Sequence, residues 1–151
     1  MAIDRAVIGT ELEATSMHVE RGRLRLFCKA IGEEDPVYCD VEAARAAGYR
    51  DLPVPPTFLC ALHHEKPDSF AWLTALGVPS DHVLHGEQSF TYHAMTFAGD
   101  RLTARSRIND VYEKKDGALE FIVRETAVTD QDERPVADLQ DVIVIRWTEG
   151  I

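Results

Sequence analysis

A chain of 151 residues and 16.9 kDa has room for one domain with one sizeable core, and not for two. Apolar residues at 45% and charged residues at 28% describe a soluble globular protein, with no apolar run long enough to span a membrane. Sixteen Lys and Arg against 26 Asp and Glu leave a net charge of −10, which repels polyanions and excludes nucleic acid and anionic membrane as expected partners.

The opening Met1-Ala2-Ile3-Asp4-Arg5 lacks the basic-then-apolar layout of a signal peptide, so a cytoplasmic location is expected. Nothing repeats and no Gly/Ser linker divides the chain. Its first zone, to about residue 80, carries six of the seven prolines. Over residues 20–31, Leu24, Phe27, Cys28 and Ile31 share one helical face, and Gly32 supplies a stop. A second short helix is expected over residues 40–48, with Asp40 as N-cap and Gly48 at the end. The prolines of residues 52–57 then forbid regular hydrogen bonding. Residues 57–64, almost wholly apolar, predict a buried helix.

From about Val83 the pattern changes to the period of two that marks strands. Residues 88–93 alternate, Gly99-Asp100 turns, and residues 102–112 alternate again. Lys114-Lys115-Asp116-Gly117 predicts a hairpin turn, residues 119–128 the next strand, and residues 135–147 the last. Four antiparallel strands must cover an apolar face, and the apolar helix at residues 57–64 is the element available. The expected fold is α+β: a curved antiparallel sheet wrapped around a central helix, with short extra helices before it, in one domain over residues 1–151.

That layout is the hot-dog architecture, and the motifs narrow it. Residues 30–40 (Ala-Ile-Gly-Glu-Glu-Asp-Pro-Val-Tyr-Cys-Asp) precede Ala43-Ala44-Arg45-Ala46-Ala47-Gly48-Tyr49, and then Leu52-Pro53-Val54-Pro55-Pro56-Thr57-Phe58. His85 to His93 and Ala98-Gly99-Asp100-Arg101-Leu102 follow in order. Together they resemble the MaoC-like (R)-specific enoyl hydratase/dehydratase family, in particular its N-terminal, FAS1-like dehydratase branch. That branch includes the substrate-binding subunit of mycobacterial hydroxyacyl-ACP dehydratases.

The resemblance implies syn addition or removal of water across the C2–C3 bond of an acyl thioester on CoA or acyl carrier protein, with no cofactor. A carboxylate and an imidazole share the catalytic water, and backbone donors at a helix N-terminus hold the enolate oxygen. In active members the loop reads Gly-Asp-x-Asn-Pro-x-His. Here it reads Gly32-Glu33-Glu34-Asp35-Pro36-Val37-Tyr38, so Glu33 stands at the Asp and Tyr38 at the His. One extra methylene displaces the carboxylate of Glu33. A phenol with a pKa near ~10 is a poor base at neutral pH, which suits Tyr38 to packing against an acyl chain or the central helix. A Pro-Ile-x-His-Gly turn in active members corresponds to Pro55-Pro56-Thr57-Phe58, which keeps the turn and lacks the His-Gly. Pro55, Pro56, Thr57, Phe58 and Gly86 are the substrate-binding candidates, with free N–H groups after Pro56 as oxyanion donors.

Other chemistry finds less support. His63 and His64 are adjacent, so they diverge by about 100° on a helix and cannot ligate one metal from it. His82 and His85 fall in a connection rich in Pro and Gly, and His93 on a strand reads as a surface or interface residue. No metal site is expected. Cys28, Cys39 and Cys60 match no metal template and read as reduced thiols. Three functions follow: the acyl-binding, catalytically incomplete subunit of a hydratase/dehydratase, paired with a second MaoC-like hot-dog subunit; a homodimer that binds acyl thioesters without transforming them; or a thioesterase using Glu65. Arg45, Arg50, Arg101 and Arg105 are candidates for a carrier-binding patch on an otherwise acidic chain.

Overall fold

A five-stranded antiparallel sheet curls around a short buried helix in the computed structural model, which describes residues 3–147. Met1 and Ala2 of the opening stretch lie outside the described residues. The elements run β1 (Thr15–His18), α1 (Arg21–Ile31), α2 (Val41–Ala46), a 3₁₀ helix (Pro56–His64), α3 (Ala71–Ala75), β2 (Val83–Tyr92), β3 (Arg101–Lys114), β4 (Leu119–Thr129) and β5 (Pro135–Arg146). The strand order is β1-β3-β4-β5-β2, all antiparallel, which is the expected sheet around a helix.

The local signals read from sequence act where they stand. Gly32 ends α1 in the left-handed conformation at φ 73°, and its own N–H returns to Lys29. Asp40 caps α2 through Oδ1, which accepts from the Glu42 and Ala43 N–H groups. The β3–β4 turn holds Lys115, Asp116 and Gly117 at positive φ, a conformation that Asp-Gly tolerates.

Three features depart from the sequence reading. The central helix winds as a 3₁₀ helix: Phe58 N–H bonds back to the Pro55 carbonyl at 3.0 Å, three residues away, so the tight winding begins at its first turn. β2 starts at Val83 rather than at Gln88, so His85 lies on a strand and not in a connection. β1 and α3 were not expected.

Register sorts the sheet into two faces. The inner face carries Val128, Thr126, Arg124, Ile122 and Glu120 of β4 opposite Ala137, Leu139, Asp141, Ile143 and Ile145 of β5. Two apolar clusters form against it. One joins Leu24, Ala44, Leu52, Phe58, Leu59 and Leu62 to Leu102, Val128 and Leu139; the other joins Leu73 and Val78 to Ile108, Ile122, Ile143 and Ile145. The row holding Arg124 and Asp141 lies between them.

Candidate functional site

The loop after α1 spends its acids on itself. Glu33 Oε1 accepts from Asp35 N–H at 2.9 Å, and Asp35 Oδ1 accepts from Val37 N–H at 3.1 Å, capping the short turn Pro36–Tyr38. Both carboxylates are exposed. The turn delivers Tyr38 inward, where it is half-buried. Burial, then the neighbouring Glu33 carboxylate, pushes its phenol pKa up, so it remains a neutral O–H group.

Tyr38 forms part of the wall of a cavity of about 320 Å³. Facing it are Pro55, Pro56 and Leu59 from the start of the 3₁₀ helix, with Val54 before them. The third side comes from the stretch that ends β2, Tyr92, His93, Ala94, Met95 and Thr96, with Val136 of β5. The prolines hold that corner open because they cannot enter a regular ladder. Two further bonds join the walls: Val54 N–H donates to the Thr96 carbonyl at 2.9 Å, and His93 N–H to the Val136 carbonyl at 2.8 Å.

Of the candidate residues, Tyr38, Pro55 and Pro56 meet at this cavity. Glu33 is outside its walls, Thr57 is exposed, and Phe58 is buried edge-on against Phe27 with ring centroids 5.3 Å apart. The Phe58 N–H, expected as a free donor, is already bound to Pro55. Gly86 forms the bulge of β2, where a Cβ would lie 2.7 Å from Val144 Cγ2 and 3.0 Å from the Val142 carbonyl oxygen. That close approach of β5 accounts for glycine there. Sequence reasoning missed the wall at residues 94–96, which has neither strand alternation nor a turn motif; its one signal is its place between a strand end and Gly99-Asp100.

The rival chemistries lose their groups to structure. Glu65 pairs with Arg23, which occupies the carboxylate a thioesterase would need. Arg45 pairs with Glu42, Arg105 with Glu133, and Arg50 with the buried Asp100 at 2.6 Å while its guanidinium lies 4.6 Å from the Phe97 ring centroid. These arginines therefore answer local acids first. His82 stacks edge-on against Trp147, and His93, one residue past β2, bonds through Nε2 to Asp138 at 2.7 Å. Among the described residues no group of three or more His, Cys, Asp or Glu converges to hold a metal ion.

His63 belongs instead to a buried polar network between the two apolar clusters. Arg124 makes a two-pronged pair with Asp141, Nε to Oδ1 at 2.9 Å and Nη2 to Oδ2 at 2.8 Å. Arg124 Nη2 also reaches His63 Nδ1 at 2.9 Å, and since guanidinium only donates, Nδ1 is the acceptor and Nε2 carries the proton. Nε2–H then donates to Thr126 Oγ1 at 3.0 Å, which shares a hydrogen bond of 2.7 Å with Ser106. Trp72 of α3 covers the guanidinium at 5.3 Å. Burial, then the Arg124 charge, lowers the His63 pKa to about 4. The network pins the far end of the 3₁₀ helix to the sheet while its near end forms the cavity wall.

Comparison with known proteins points the same way. Residues 6–139 match the model of the FAS1-like, dehydratase domain region family. A UPF0336 protein of Saccharopolyspora erythraea is 34% identical over 149 residues, covering 98% of this chain and 94% of that protein. A UPF0336 protein of Streptomyces avermitilis is 38% identical over 112 residues, 74% of this chain and 75% of that one. Among solved structures, the truncated HadBC (3R-hydroxyacyl-ACP dehydratase) complex of Mycobacterium tuberculosis superposes with a TM-score of 0.75 at 24% identity, covering 91% of this chain and 96% of that one. The (R)-hydratase of A. caviae superposes with a TM-score of 0.67 at 18% identity, covering 90% and 94%. At these identities the structural likeness establishes the hot-dog fold.

Proposed function

We infer the function from family membership joined to the site: the chain belongs to the FAS1-like dehydratase region family and has the MaoC-like hydratase/dehydratase fold. Its role is that of the acyl-binding, catalytically incomplete subunit of an acyl-thioester hydratase/dehydratase, interconverting 3-hydroxyacyl and trans-2-enoyl thioesters of CoA or acyl carrier protein. One observation carries the reading. The loop that should present a carboxylate and an imidazole to the cavity presents a phenol, while Glu33 turns its carboxylate back onto the loop backbone. What remains is a mainly apolar pocket between that loop, the start of the 3₁₀ helix and the end of β2, without an acid–base pair from that loop.

The missing pair would come from a second hot-dog subunit with intact Asp and His, docked side by side. The HadBC and ChsH1-ChsH2 structures are complexes of named partners, which supports pairing of this kind. The test is hydration of crotonyl-CoA by the purified chain, alone and mixed with a MaoC-like subunit that retains the Asp and His. Turnover by the mixture and none by the chain alone is expected. Turnover by the chain alone that is lost in Glu33→Ala or Tyr38→Phe would make the loop catalytic and overturn the reading. Binding of acyl-CoA with no turnover in any mixture would leave a non-catalytic binding protein.

A further inference from the structure

The cavity has a feature that simple apolar binding leaves unused. Val54, Pro55, Pro56, Leu59, Met95 and Val136 make greasy walls, yet three hydroxyls interrupt them: Tyr38, Tyr92 and Thr96. None of the three engages a hydrogen-bond partner among the described residues. Thr96 is the most telling, since only 5% of it is exposed. Thr96 lines the cavity, and its hydroxyl is not among the solvent-sealed side-chain atoms without a partner, of which the described residues show only His82 Nδ1. The Thr96 backbone is fixed by the Val54 N–H, which holds the side chain at the wall. Burial raises the pKa of both phenols, so Tyr38 and Tyr92 stay protonated and able to donate.

A hydroxyl can donate once and accept twice, and covering it with a methylene strips its water without replacement. A ligand with an oxygen among those hydroxyls restores the lost bonds. We propose that Tyr38, Tyr92 and Thr96 are the specificity-determining residues of this cavity, reading an oxygen substituent on the bound chain so that a 3-hydroxyacyl thioester is preferred over the saturated acyl thioester of equal length. The proposal rests on the acyl-binding reading above. It assigns the discrimination to Tyr92 and Thr96, which lie outside the loop motif, together with Tyr38, which stands at the motif's His position.

The test is calorimetric titration of (R)-3-hydroxyoctanoyl-CoA and octanoyl-CoA into the chain, alone and in complex with its catalytic partner, with CoA as the carrier-only probe. One satisfied hydroxyl pair corresponds to roughly tenfold in affinity, which is the preference expected for the hydroxylated ligand. Tyr38→Phe, Tyr92→Phe and Thr96→Val keep ring or shape, and the triple change is expected to bring the ratio within about twofold by weakening the hydroxylated ligand alone. The single changes, checked by far-UV circular dichroism, serve if the triple variant fails to fold. Equal affinity for both ligands, or a ratio unchanged in the variants, overturns this inference and leaves the acyl-binding reading intact. Absence of binding by either ligand in both assemblies removes that reading, and this inference with it.

Discussion

His63 shows how far a residue's role depends on neighbours that its sequence context does not reveal. As one of two adjacent histidines on an apolar helix it carries no assigned role in the sequence, yet Arg124 and Thr126, more than sixty residues away, fix its tautomer and keep it neutral. Protonating Nδ1 would break the Arg124 bond and set two cations 2.9 Å apart. The folded chain therefore resists uptake until about pH 4, whereas the unfolded chain takes up the proton near 6.5. A group depressed in this way contributes its full stability above 6.5 and loses it as the pH falls toward 4, because the unfolded state binds the extra proton. Between pH 7 and 5 the unfolding free energy should fall by about 2 kcal/mol from this group, a window above most carboxylate titration. Urea melts across that range check it, and His63→Gln should flatten the slope; a His63→Gln variant with the wild-type slope would assign the loss elsewhere. Tyr38, by contrast, was expected from its place in the loop motif to pack against an acyl chain or the central helix, and its side chain lines the cavity together with Pro56 and Leu59 of that helix.

At the level of elements, legibility followed periodicity. β3, β4 and β5 were found because each runs eleven or more residues, long enough that strand character registers even where a bulge shifts the parity, as between Ile108 and Asp110 of β3. The first half of β2 was not, and the bulge at Gly86 is the physical reason. Val83 and His85 face inward before it, Gln88, Phe90 and Tyr92 after it, so the parity of the pattern flips within one strand. β1, at four residues, and α3, at five, are too short for any period to register. The helix at residues 57–64 was expected from its apolar content, but its 3₁₀ winding depends on a turn closed by Pro55. The bulge yields its own prediction. Gly86→Ala forces a methyl to within 2.7 Å of Val144 and 3.0 Å of the Val142 carbonyl oxygen, and β5 must yield. A loss of about 1–2 kcal/mol in chemical denaturation is expected, with the crossing strands spread locally. An unchanged midpoint would show that the bulge can relax without cost.

For the whole molecule, the two sheet edges are not equivalent. The β1 edge is short, and beside it the chain from Gly9 to Leu12 continues to bond along β3, through Gly9 N–H to Ile108 and Leu12 N–H to Ser106. The β2 edge runs ten residues, pairs among the described residues on one side only, with β5, and has exposed Leu84 and Tyr92 with Met95 just beyond. A long open edge flanked by exposed apolar side chains favours strand pairing with another chain. Such pairing would also place a partner beside Tyr92 and Met95, at the cavity mouth. Ser89 and Thr91 lie on the outer face of that strand, away from the cavity. Lysines there put like charges against each other across a paired edge, or against the sheet of a different partner, while leaving the acyl pocket intact. The expected result for Ser89→Lys combined with Thr91→Lys is a monomer by sedimentation velocity under conditions where the unmodified chain pairs, with itself or with its catalytic subunit. Enoyl-CoA hydration by the mixture should fall at least tenfold in parallel if, as proposed, this chain supplies no acid–base pair of its own and depends on its neighbour. A double-lysine chain that sediments and turns over as the unmodified one does would place the interface on another surface.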